Sequence, residues 1–147
     1  MPIAPGAVAP LHDSSRPTLY AFFKHNCPTC QVAFPVIGEL ERRYGDAVEV
    51  VAVAQDAPEI ARPWLDDKGF AGRAVDDSSG YTMSLAYEID SVPTLVLVND
   101  DGTVVSTSES WDRDRYNQWA HDLGERTGRT TDPVSTEADG RPAFKPG

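Results

Sequence analysis

Soft metal ligands and long apolar stretches are both scarce here: 147 residues contain two cysteines, two methionines and three histidines. Two cysteines are too few for a small secreted scaffold stapled by several disulfides. His12, His25 and His121 are scattered, whereas a zinc site needs four ligands, or three and a water; no metal and no cofactor is expected. No apolar run approaches the roughly 18 residues of a membrane-spanning helix, so membrane insertion is not expected. Met1 to Pro17 lacks the basic start and apolar core of a signal peptide. The expected location is the cytoplasm, with an exported domain whose signal has been removed as the alternative. Positive charge is short as well. Thirteen Lys and Arg face 23 Asp and Glu, a formal net charge of -10, so a nucleic-acid partner is not expected.

The length fits one domain able to bury about two-thirds of its unfolded surface. Residues 1–15 carry Pro, Gly, Ala and Ser without periodicity and read as a flexible arm. Thr18 to Phe23 (TLYAFF) suits a buried strand. From about Cys27 to Tyr44, Phe34, Ile37, Leu40 and Tyr44 recur at helical spacing, Gly45 is a natural stop, and Pro35 should kink the helix. Val48 to Ala54 is a second buried strand, and Pro58 to about Lys68 a second helix whose regularity Pro63 puts in question. A short helix is expected near Thr82 to Tyr87. Thr94 to Val98 and Val104 to Thr107 flank the turn residues Asn99 to Gly102, an antiparallel hairpin. A last helix runs from about Arg113 to Arg126 on Tyr116, Trp119 and Leu123. The first half is thus a right-handed parallel crossover and the second an antiparallel pair closed by a helix. The sum is an α/β fold: a central mixed sheet of four to five strands with helices on both faces. Domain bounds are 16–127, with 128–147 a flexible polar tail in which Phe144 is the one large apolar residue and a candidate anchor. Trp64, Trp111 and Trp119 read as packing residues, and the paired carboxylates Asp66, Asp67, Asp76 and Asp77 as solvated turns.

Both cysteines fall in Lys24-His25-Asn26-Cys27-Pro28-Thr29-Cys30, directly after a strand and at the start of a helix. A bridge between them would close too small a loop to stabilise the fold much. A helix N-terminus carries partial positive charge and unpaired N–H groups, a field that favours thiolate at Cys27. Cysteines in such motifs have pKa values of about 3.5 to 7.5, and thiolate is the attacking species in disulfide exchange. Cys27 is therefore the candidate nucleophile and Cys30, one turn on, the candidate resolving thiol. Lys24 and His25 are candidate thiolate stabilisers, with an idle, solvated pair as the alternative.

The stretch YAFFKHNCPTC, with a proline eight residues after its first cysteine, resembles the active-site strand and kinked helix of the thioredoxin superfamily. Ser91-Val92-Pro93-Thr94 followed by LVLVNDDGTVV resembles that superfamily's cis-proline loop and hairpin. RRYGDAVEVVAVAQD and SLAYEIDSVPTLVLVNDDG are similar to the TlpA-like thiol-disulfide oxidoreductases, or redoxin domains. The likeness covers about residues 16–126. It implies a thioredoxin-like fold, a cis Pro93 facing the cysteines, and a substrate surface made by Asn26, Pro28, Thr29, Val92 and Pro93. An extended substrate would pair with the exposed backbone of Val92 as an added strand does. Two positions depart from the pattern. Asn26 stands where thioredoxins often have Trp. Ala21 stands where they bury an acid, which leaves no named group to deprotonate Cys30.

The expected function is a monomeric oxidoreductase that exchanges its dithiol with protein disulfides and is served by a separate redox donor. One alternative is a redox-switched binding module that uses the groove beside Pro93. Another is a thiol peroxidase on the same fold. Peroxiredoxin-type sites place Pro and Thr seven and three residues before the reactive cysteine, where this chain has Tyr20 and Lys24.

Overall fold

In the computed structural model, which describes residues 1–147, the apolar run TLYAFF forms β1 (Thr18–Phe23), buried at every position. β2 (Glu49–Ala54) lies parallel to it on one side. On the other side β4 (Thr94–Val98) runs antiparallel. β5 (Val104–Glu109) pairs antiparallel with β4 beyond the Asn99–Gly102 turn, and β3 (Arg73–Asp76) closes the opposite edge parallel to β2. The sheet order is β3-β2-β1-β4-β5. β1 and β4 are therefore neighbours, and the loops that follow β1 and precede β4 meet at one end of the sheet.

Alternation along β1 splits the core between two faces. Tyr20 and Phe22 meet Tyr87, which caps α3 (Thr82–Ala86). Phe23 points the other way, against Phe34 of α1 (Pro28–Tyr44) and Trp64 of α2 (Pro58–Asp67). In α1, Phe34, Ile37, Leu40 and Tyr44 are all buried; each such side chain contributes about 1.5–3 kcal/mol relative to exposure. Proline is tolerated at the first helical position because its missing N–H has no intrahelical partner there, and Pro28 occupies that place. Trp111 and Trp119 are fully buried, and α4 (Arg113–Thr127) begins on the Asp112 side chain, which caps it.

The expected helices and the strands β1, β2, β4 and β5 appear within a residue or two of their sequence positions. β3 has no counterpart in the reading, because RAVD is short, mostly exposed and without apolar alternation, as an edge strand can be. Asp77 also corrects an expectation. It is buried rather than solvated, and its carboxylate accepts from the N–H groups of Met83 and Ser84 and from the Ser84 hydroxyl.

Neither terminal segment is a loose strand of chain. In the first fifteen residues, backbone bonds tie Ile3 to Tyr87 and Gly6 and Ala9 to the β4–β5 hairpin. Residues 128–147 run back across α4 and α1. The Tyr44 hydroxyl donates to the carbonyls of Ala120 and Thr130 at 2.9 and 2.7 Å. Asn117 Oδ1 accepts from the N–H groups of Val134 and Ser135, and Trp111 Nε1 donates to the Pro142 carbonyl at 2.7 Å. A two-residue ladder then joins β6 (Trp111–Asp112) to β7 (Phe144–Lys145). The Phe144 ring is not the anchor: it is 57% exposed, and hydrogen bonds to the backbone groups of the segment, which composition does not register, do the holding.

Gly124 lies where a Cβ would run directly into the Thr130 carbonyl. Gly124→Ala is expected to lower unfolding free energy by about 1–3 kcal/mol through overpacking, read by chemical denaturation. Unchanged stability would show that residues 129–131 do not press on α4.

Candidate active site

Cys27 is the residue at which β1 gives way to α1. It has extended backbone, as an N-cap residue does, and its sulfur takes the position of a capping oxygen, accepting from the Cys30 backbone N–H at 3.2 Å. In the thiol form the same sulfur reaches the Val92 carbonyl at 3.4 Å. The Val92–Pro93 peptide is cis, and β4 starts at the next residue, so strand pairing between β1 and β4 is what brings Val92 beside Cys27. Val92 borders the groove; Pro93 lies behind it, its carbonyl accepting from the Ser110 N–H.

The two thiols are unequal. Cys27 is 5% exposed at the groove and Cys30 is sealed at 0%. The pKa of Cys27 is lowered to about 6, chiefly by the hydrogen bond from the Cys30 side chain; burial opposes this, while the N–H groups of Cys30 and Thr29 and the charge of Lys24 assist. Cys30 is raised far above the ordinary thiol range, first by burial and then by donating to Cys27. One proton is thus shared unevenly: at neutral pH Cys27 is thiolate and Cys30 holds its hydrogen. Tyr116, wholly buried with no partner for its hydroxyl, feels the charge of this pair. Burial, then Cys30, holds its phenol well above the usual range.

Of the two expected thiolate stabilisers, only Lys24 acts on the sulfurs, and weakly. His25 is turned away. Its backbone N–H and its ring Nδ1 both engage the Asp56 carboxylate, at 2.6 and 2.8 Å. Cys27, Asn26, Pro28, Thr29 and Val92 come together on a groove of about 670 Å³. Tyr81, Leu85 and Ile89 form its apolar side, and Lys145, Pro146 and Gly147 its other border. Neither border is legible in the sequence. The Asp77 cap that fixes α3 looked like a turn residue, and the final residues carry no motif.

A protein-family model described as thioredoxin-like matches residues 15–104. Among curated proteins the chain is 29% identical over 96 residues to a "thiol:disulfide interchange protein TxlA homolog" of Synechocystis sp., covering 65% of this chain and 42% of that protein. It is 32% identical over 89 residues to "thiol-disulfide oxidoreductase ResA" of Halalkalibacterium halodurans, covering 57% and 48%. The chain thus spans less than half the length of these relatives. In fold it is similar to a thiol:disulfide interchange protein from Bacteroides sp., with a TM-score of 0.71 and 19% identity over 87% of this chain and 93% of that one.

A hydrogen bond to a charged group contributes about 1.5–3 kcal/mol, and one pH unit corresponds to about 1.4 kcal/mol. Cys30→Ala should therefore raise, by about one pH unit or more, the pH at which Cys27 alkylation reaches half its limiting rate. Lys24→Met should raise it less, and His25→Ala should leave it in place. A larger effect from His25→Ala than from Cys30→Ala would contradict this ranking of causes.

Proposed function

The chain belongs to the thioredoxin-like family, and on that footing we propose that it catalyses thiol-disulfide exchange with protein substrates through Cys27 and Cys30. The observation that carries the reading is the inequality of the two sulfurs: Cys27 opens on a groove with its pKa lowered, and Cys30 is sealed behind it with its pKa raised. Incidental core cysteines need no such polarity.

The Cys27 thiolate attacks one sulfur of a substrate disulfide in line with the S–S bond. That bond breaks, Cys27 is joined to the substrate in a mixed disulfide, and the other substrate sulfur leaves as thiolate and takes a proton. Cys30 then loses its proton to solvent or to the departing thiolate. Its sulfur attacks Cys27, the mixed disulfide breaks, and the second substrate sulfur leaves and is protonated. Two electrons have passed to the substrate, whose two protons are balanced by the one from Cys30 and one from solvent, and the Cys27–Cys30 pair is a disulfide. A dithiol donor reverses the steps and restores it. Cys30 ionises more readily after the first step, because the Cys27 sulfur has lost its negative charge and no longer holds the Cys30 hydrogen.

In a cytoplasmic setting, reduction of protein disulfides is the direction we assign. The backbone of Val92 and the surfaces of Asn26, Pro28 and Thr29 serve as the docking edge for the substrate. A peroxidase reading finds no support at the positions it needs: Tyr20 is buried inside β1 and hydrogen-bonded to His12.

With dithiothreitol as donor, wild type should accelerate insulin reduction well above the uncatalysed background. Cys27→Ser should lower kcat/KM by about a hundredfold or more, as loss of a nucleophile does. Cys30→Ser should accumulate a mixed disulfide that non-reducing mass spectrometry detects. Undiminished activity in Cys27→Ser would remove that residue from its role.

A further inference from the structure

Residues 129–143 are fastened along α1 and α4 by the contacts of Tyr44, Asn117 and Trp111 described above, with Arg141 Nε donating to the Val32 carbonyl at 3.0 Å. Beyond Ala143 the attachment changes character. Phe144 and Lys145 hang on a two-residue ladder to Trp111 and Asp112. The Pro146 carbonyl accepts from the Thr29 hydroxyl, inside the Cys-x-x-Cys turn. Gly147 donates to Ser110 Oγ at 3.3 Å, and a Cβ built on it would stand 2.5 Å from the Val92 carbonyl oxygen. The last residues thus run in extended form over the two places a substrate strand would use, the Thr29 side of the cysteine turn and the backbone of Val92. The Val92 N–H makes no hydrogen bond within the chain, and its carbonyl accepts only the Cys27 thiol. That is an unpaired edge of the kind an added strand completes.

We propose that Phe144–Gly147 is a displaceable strand seated in the substrate groove, which sets specificity by leaving Cys27 open to small disulfides while extended polypeptide disulfides must lift it to dock. This rests on the exchange activity assigned above. Three features support it. The seating is slight, a two-residue ladder and two single hydrogen bonds, so the segment can lift without undoing the contacts of residues 129–143. Phe144 is more than half exposed and adds little apolar seating. Gly147 is the residue type that lets the chain come so close to the Val92 carbonyl, since any side chain would collide there. The opposite border, Tyr81 and Leu85, is fixed by the Asp77 cap on α3 and stays in place as an apolar seat for the incoming polypeptide.

Two full-length variants test this. Gly147→Val drives a side chain into the Val92 carbonyl. Lys145→Pro removes an N–H from the ladder. Labelling of the reduced protein at Cys27 is compared for iodoacetamide and for a polyethylene glycol maleimide of about 5 kDa, a readout that needs no turnover. Both variants should speed the bulky reagent by about fivefold or more and iodoacetamide by less than about twofold. In turnover, kcat/KM should rise by a similar factor for insulin and stay within about twofold for 5,5′-dithiobis(2-nitrobenzoate). Equal labelling of wild type and variants by the bulky reagent would overturn the displaceable strand whether or not the protein turns over. Absence of turnover in every protein, with the labelling difference intact, would overturn the exchange reading and leave the strand as a cover over Cys27.

Discussion

The constraint on which the site depends is that Cys30 is sealed from solvent while Cys27 opens on the groove, its sulfur accepting the Cys30 backbone N–H at 3.2 Å. A hydrogen on Cys30 lowers the pKa of Cys27 only while Cys30 stays protonated, so the two thiols become unlike although they sit one helical turn apart. Burial strengthens the asymmetry. Cys30, without solvent, has only the backbone N–H and the charge of Lys24 to stabilise a charge, and burial outweighs both, while Cys27 at the groove receives the Cys30 hydrogen, the Cys30 and Thr29 N–H groups and the charge of Lys24 together. Thiolate at Cys27 and thiol at Cys30 are one arrangement seen from its two ends.

The rest of the fold holds that arrangement to a tolerance. β1 is buried on both faces and fixes the point where α1 begins. β4 beside it places Val92 against Cys27. The aromatic set Phe23, Phe34 and Trp64 locks the first turns of α1 to the sheet end where Cys27 emerges. Asp77, through α3, sets the apolar border of the groove, and the strand at Phe144–Gly147 sets the other. Chemistry and access are therefore handled by different parts of the chain: the β1–α1 junction determines reactivity, and α3 and the final residues determine what reaches it.

Legibility in the sequence followed the physics of each feature. The strands β1, β2 and β4 and the long helices were readable because apolar spacing is imposed by burial on a regular element. Cys27 and Cys30 were readable because few motifs put two thiols at a strand-to-helix junction. β3 was not, since an edge strand satisfied on one side needs no apolar alternation. Asp77 was not, since a carboxylate that caps a short helix looks locally like one in a turn. His25 was read as a neighbour of the sulfur on sequence distance alone, and the partner that turns it away, Asp56, lies thirty-one residues on. The tail was misread because composition registers side chains, whereas carbonyls of Thr130, Pro142 and Pro146 hold it.

Ultraviolet absorbance of thiolate, followed against pH in the reduced protein, tests the unequal pair most directly. One thiolate should appear with a midpoint near pH 6, with no second one through the ordinary range of about 8 to 9, and Cys27→Ser should abolish the step. Two thiolates rising together in that ordinary range would contradict it.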